Sequence, residues 1–164
     1  MDRAKQTILS AALISVSFLG CVQKPDCGDA SYIVYDVCVI EPPMMSDCFE
    51  SILTQVHAAM GLDLEWFAGR DYAVTWVPQH LDEEDGATLK YGDRLWTEIK
   101  PGLTEYRIAQ VLVHEFLHVI DYRLHGKFDT DPKTMHDTPG YFRVESGKDS
   151  LESTIYAGLN RSCL

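Results

Sequence analysis

The chain has 164 residues, 46% apolar and 24% charged, a globular balance that excludes disordered, collagen-like and coiled-coil architectures. That length suits one domain. Fourteen Lys and Arg against 25 Asp and Glu give a formal charge of −11, which repels phosphate backbones and argues against nucleic-acid binding.

The N-terminus opens with Asp2-Arg3-Ala4-Lys5, and Thr7 to Leu19 is then apolar or small throughout. This run has the length of a signal-peptide core and is too short to span a bilayer as a helix. Phe18-Leu19-Gly20-Cys21 resembles a bacterial lipobox, with Phe18 standing where leucine is usual. The resemblance implies a lipoprotein-type signal peptide over residues 1–20 and a lipid on Cys21, hence a lipid-anchored envelope location, or secretion. Residues 21–31 read as a polar linker with Pro25 and Gly28, ahead of a domain over residues 32–164. Cys27, Cys38, Cys48 and Cys163 remain, an even number that an exported domain can oxidise into two disulfides. Sequence does not rank the three connectivities; a local Cys27–Cys38 loop with Cys48–Cys163 is the preferred guess. No C-x-x-C pair argues for a cysteine metal site.

Tyr32 to Ile40, rich in β-branched and aromatic residues, predicts a strand ended by Pro42-Pro43. In Ser46–Met60, Phe49, Ile52, Leu53, Val56 and Met60 recur at helical spacing, and Gly61 stops the helix. Tyr72 to Val77 predicts a second strand. Asp82 to Gly86 reads as a solvated acidic turn, and Leu95 to Ile99 as a third strand ended by Pro101-Gly102. Thr104 to His125 is the longest helical stretch, with Gly126 at its C-terminal end. Lys127 to Gly140 is turn-rich. Asp149 to Leu159 predicts a last helix, with Asp149 and Glu152 as a capping box.

His114-Glu115-Phe116-Leu117-His118 is H-E-x-x-H inside the long helix. Four residues advance a helix by about 400°, so the two histidines point within about 40° of each other, one turn apart. Two such imidazoles can share one zinc, and Glu115, about 100° around, can take a proton from water on the metal. Gln110, His114, His118, Asp121 and His125 form one narrow polar stripe on a helix that is apolar around most of its circumference. A buried helix needs a reason to carry such a stripe, and a metal supplies one.

Val111 to Asp121 resembles the active-site helix of zincin metallopeptidases. The resemblance implies an α+β fold: a small twisted mixed sheet, a backing helix, and the metal helix beneath. In that family the lowest strand lines the cleft and pairs with extended substrate. Zinc in a hydrolytic site takes three protein ligands plus water. The metzincin spacing fails, because Asp121 and Leu124 stand where glycine and histidine belong. His125 lies about 10 Å along the axis from His118, too far to share the ion, and suits the helix C-terminus.

His136 is the choice for third ligand. It follows a turn-rich loop able to fold back under the metal, and His136 to Phe142 is similar to zincins whose third histidine sits in a loop before a glycine and an aromatic. Spartan-type proteases share this layout loosely, but they act on DNA-bound proteins, which the acidity here opposes. Glu152 is the runner-up, as in thermolysin-like enzymes, followed by Asp129, Asp131 and Glu145. Asp121 is read as holding the outer nitrogen of His118, Tyr141 as an oxyanion donor or a packing residue, and His57 and His80 as structural or solvated.

The expected activity is zinc-dependent peptide hydrolysis in the cell envelope, by a monomer acting on a protein or peptide. The zinc ligands are His114, His118 and His136, and Glu115 is the general base. A cell-wall amide or peptide hydrolase, or a non-catalytic lipid-anchored binding module, are the alternatives.

Overall fold

The run Tyr32–Ile40 folds as a hairpin rather than the single strand its composition predicts. Tyr35 and Asp36 take positive φ (47° and 63°), the two-residue turn whose twist matches antiparallel strands. It joins β1 (Tyr32–Val34) to β2 (Val37–Ile40), with Val34 opposite Val37. A computed structural model describes residues 26–63, 72–81, 83–91, 94–126, 141–142 and 149–159. Residues 1–20, read as a signal peptide, together with Cys21 and Cys163 lie outside them. The stretch read as a linker carries a 3-10 turn, Cys27–Asp29, and Cys27 is disulfide-bonded to Cys38 of β2.

Among the described residues one five-stranded sheet runs β1-β2-β3-β5-β4, with β3 at Tyr72–Thr75, β4 at Gly86–Tyr91 and β5 at Arg94–Ile99. β2, β3 and β5 are parallel neighbours, while the edges β1 and β4 are antiparallel to theirs. The fold class is therefore α+β with a mixed sheet, as expected. Strand β4 was not predicted; it begins where the acidic turn ends.

Strand alternation sends Val37, Val39, Tyr72, Val74, Leu95 and Ile99 into the main core, and Cys38, Ala73 and Trp96 into a second cluster on the opposite face. Helix α1 (Ser46–Met60) matches its predicted span, buries Phe49, Ile52, Leu53 and Val56, and ends at Gly61 in the left-handed conformation. Helix α2 (Glu105–His125) is N-capped by Thr104, whose side chain accepts from Arg107 N, and Gly126 ends it at φ 68°. Eleven of its residues are buried, from Ile108 to Ile120. Phe116 meets Phe49 of α1 edge-on at 5.6 Å and Tyr72 of β3 at 6.4 Å. Each such side chain is worth roughly 1.5–3 kcal/mol on burial, so this ring fixes the rotation of α2 about its axis.

Helix α3 (Leu151–Gly158) is capped by Ser150, not Asp149: Ser150 Oγ accepts from Ser153 N at 3.2 Å. The N-cap thus lies one residue beyond the predicted one, and Ser153 rather than Glu152 occupies the third helical position. Glu152 is released from the helix end and turned toward α2. No helix among the described residues is long and apolar enough to cross a membrane.

Candidate metal centre

His114 and His118 converge as the helix period requires. Their Nε2 atoms lie 3.1 Å apart, with ring centroids 4.7 Å apart. Two nitrogens bound to one tetrahedral zinc at about 2.0–2.1 Å stand about 3.3 Å from each other, so the observed spacing suits a shared cation. The tautomer suits it too. His114 Nδ1 lies 2.8 Å from Glu152 Oε1, and an ionised carboxylate only accepts. The neutral ring therefore carries its proton on Nδ1 and its lone pair on Nε2, facing His118.

Glu152, the runner-up third ligand, has its Oε1 on the outer nitrogen of His114, where it orients the ring. Its own position is fixed by Tyr156, whose hydroxyl lies 2.6 Å from Glu152 Oε1 and 2.7 Å from the Gln110 carbonyl oxygen of α2. Burial pushes the His114 pKa down. The Glu152 hydrogen bond and the charges of Glu115 and Glu152 outweigh this, and the net shift is upward.

Phe142 covers both imidazoles. Its ring stacks on His118 at 4.5 Å and lies 4.9 Å from that of His114. A backbone bond from Glu152 N to Tyr141 O, 3.0 Å, ties this aromatic pair to the start of α3. The histidines are thus sheltered from bulk water on one side, which strengthens any charge interaction there.

Glu115 is only 4% exposed. Its Oε2 accepts from the Thr88 hydroxyl of β4 at 2.8 Å. Burial raises its pKa, an effect that His114 and Thr88 partly offset. A cavity of about 290 Å³ opens along α2, lined by Arg107, Gln110, His114, Glu115, Glu152 and the start of β4 at Gly86. Arg107 braces its rim, with Nε 2.6 Å from Asp85 Oδ2 and Nη1 donating to Gln110 Oε1.

The other sequence candidates divide into those outside the described residues and those with observed partners. His136, Asp129, Asp131 and Glu145 lie outside the described residues. Asp121 pairs with His125, Oδ1 to Nδ1 2.7 Å. His57 is buried in α1 with Nδ1 2.8 Å from the Leu53 carbonyl oxygen. His80 pairs with buried Glu98 at 2.8 Å. Among the described residues no group of three or more His, Cys, Asp or Glu gathers as a metal site. Thr88 and Tyr156 are the site neighbours that sequence reasoning missed, while Phe142 lay in the aromatic end of the run quoted for the resemblance. Comparisons with protein-family models, curated proteins and solved structures return no match to this chain.

Proposed function

We propose that this chain is a zinc-dependent peptidase of zincin type. The observation that carries the proposal is the pair of Nε2 atoms 3.1 Å apart, with the buried Glu115 carboxylate beside them on the cavity wall. His114 and His118 would hold the ion, and His136 is proposed as the third protein ligand. Further support comes from the edge strand β4, antiparallel to its neighbour and packed on α2, and from α1 packed against α2 behind it.

Zinc, when bound at such a site, supplies Lewis acidity and lowers the pKa of water. The chain's own residues do the rest. Glu152 keeps the His114 proton on Nδ1. Phe142 limits access of bulk water to the rings. Glu115 accepts a proton from the attacking water and returns it to the leaving amine, work for which a raised carboxylate pKa is suited. The substrate's extended backbone would run along the cavity between β4 and α2. The lipoprotein-type start and the Cys27–Cys38 disulfide support an envelope location, since disulfides persist in oxidising compartments.

Glu115→Gln tests the proposal. Zinc-loaded protein should hydrolyse an unstructured casein substrate, and the variant should retain its zinc and lose at least about 100-fold in rate. Equal hydrolysis by the variant, or none by the zinc-loaded parent, would overturn it.

A further inference from the structure

Three buried hydroxyls lead to Glu115. Tyr72 of β3 hydrogen-bonds Thr97 of β5, Thr97 Oγ1 lies 2.8 Å from Thr88 Oγ1 of β4, and Thr88 Oγ1 lies 2.8 Å from Glu115 Oε2. Thr88 and Thr97 are cross-strand partners, and all four residues are buried. The two threonines occupy core-facing positions where β3 and β5 otherwise place Val74, Leu95 and Ile99. Valine has the shape of threonine, so packing alone gives no reason for hydroxyls there.

We propose that Thr88 is a positioning residue for the proposed hydrolysis, holding the Glu115 carboxylate at the cavity wall. The proposal rests on the reading of Glu115 as the proton acceptor. An ionised carboxylate has only acceptors, so Thr88 must donate its single proton to Glu115. Its lone pairs then accept from Thr97, which accepts from Tyr72. The chain has one polarity, set by the carboxylate, and each donor is strengthened by the one behind it. One Glu115 oxygen is thereby anchored to the sheet, which limits the side chain's rotation toward or away from the histidines. An acid–base group displaced by about 1 Å can lose about 100-fold in rate.

The test compares Thr88→Val, which deletes the hydroxyl and keeps the shape, with Thr88→Ser, which keeps the hydroxyl. In zinc-loaded protein, Thr88→Val should lower kcat about 10- to 100-fold with KM and zinc affinity unchanged. Thr88→Ser should recover most of the loss. An unchanged kcat, a fall in zinc affinity parallel to kcat, or failure of serine to rescue would overturn the proposal. A second readout needs no activity. The infrared difference between parent and Glu115→Gln isolates the Glu115 carboxylate band in metal-free protein. Thr88→Val should shift that band and Thr88→Ser should leave it in place; identical bands in all three backgrounds would overturn the proposal. Should the parent hydrolyse nothing, the peptidase reading fails and the infrared result still decides the role of Thr88. If Thr88→Val does not fold, Thr97→Val, which cuts the chain one link back and leaves Glu115 its donor, should show a smaller band shift in the same direction; no shift would count against the proposal.

Discussion

Gly86 opens β4 where the strand crosses α2, and its missing side chain is what allows the approach. A Cβ there would meet Val111 Cγ1 at 2.4 Å, and the Glu98 carbonyl oxygen and Ile99 Cδ1 at 3.3 Å. Ordinary carbon contacts lie at about 3.5–4.0 Å, so Gly86→Ala forces a displacement of about 1.1–1.6 Å. Valine in a helix has essentially one χ1 rotamer, so the Val111 methyl has nowhere to turn. Overpacking of this kind costs about 1–3 kcal/mol. Gly86 does not have positive φ. Alanine's smaller unfolded-state entropy would by itself therefore stabilise the fold by about 0.4–1 kcal/mol, and the clash outweighs it. The expected net loss of about 1–2 kcal/mol lowers Tm by roughly 2–8 °C for a domain of this size. The assay is urea unfolding followed by circular dichroism on the parent, Gly86→Ala, Val111→Ala and the double variant. Without the Val111 methyls, Gly86→Ala should become neutral or stabilising, a coupling of about 1–3 kcal/mol. The same loss in both backgrounds, or no loss in either, refutes the contact as the cause.

Glu152→Gln should weaken zinc binding about 10- to 100-fold, because the orienting carboxylate of His114 is lost; competition with a chromophoric chelator measures it, and an unchanged affinity contradicts the assigned role. Glu98 gives a pH prediction. Burial raises its pKa, but bonds from His80 Nδ1, the backbone N–H groups of His80 and Gln79, and the Trp96 indole outweigh burial and bring it below the ordinary 4.5. A lowered folded pKa contributes stability that is full above the unfolded value and lost as pH falls through the folded one. The parent should therefore lose urea resistance as pH drops below about 4.5, whereas Glu98→Gln should be weaker at neutral pH and flatter in acid; parallel curves would count against this. Replacing Cys27 and Cys38 together by serine opens an 11-residue separation and should lower stability by about 3 kcal/mol, read as a shifted denaturant midpoint.

The helices were legible because their apolar spacing and terminal glycines act locally. Ser46–Met60 and Thr104–His125 came out with their C-terminal glycines, and within the second the histidine pair followed from the helical period alone. The hairpin at Tyr35-Asp36 was not legible, because neither residue is glycine or asparagine and the β-branched run is continuous on both sides. Strand β4 was missed for a chemical reason. Thr88 occupies an inward position that a strand pattern reserves for an apolar side chain, and its partner is a carboxylate 27 residues away. Glu152 was misplaced because Asp149 and Ser150 are both good caps, and the structure selects Ser150. Pairings between distant segments, here Glu152 with His114 and Tyr156 with Gln110, depend on tertiary packing that no local pattern encodes.

Zinc binding by the purified, metal-free protein tests the central claim most directly. One ion per chain is expected, with X-ray absorption showing imidazole nitrogens at about 2.0–2.1 Å and with His114→Ala and His118→Ala each abolishing retention. A chain that keeps no zinc, or keeps it equally well without either histidine, contradicts the claim.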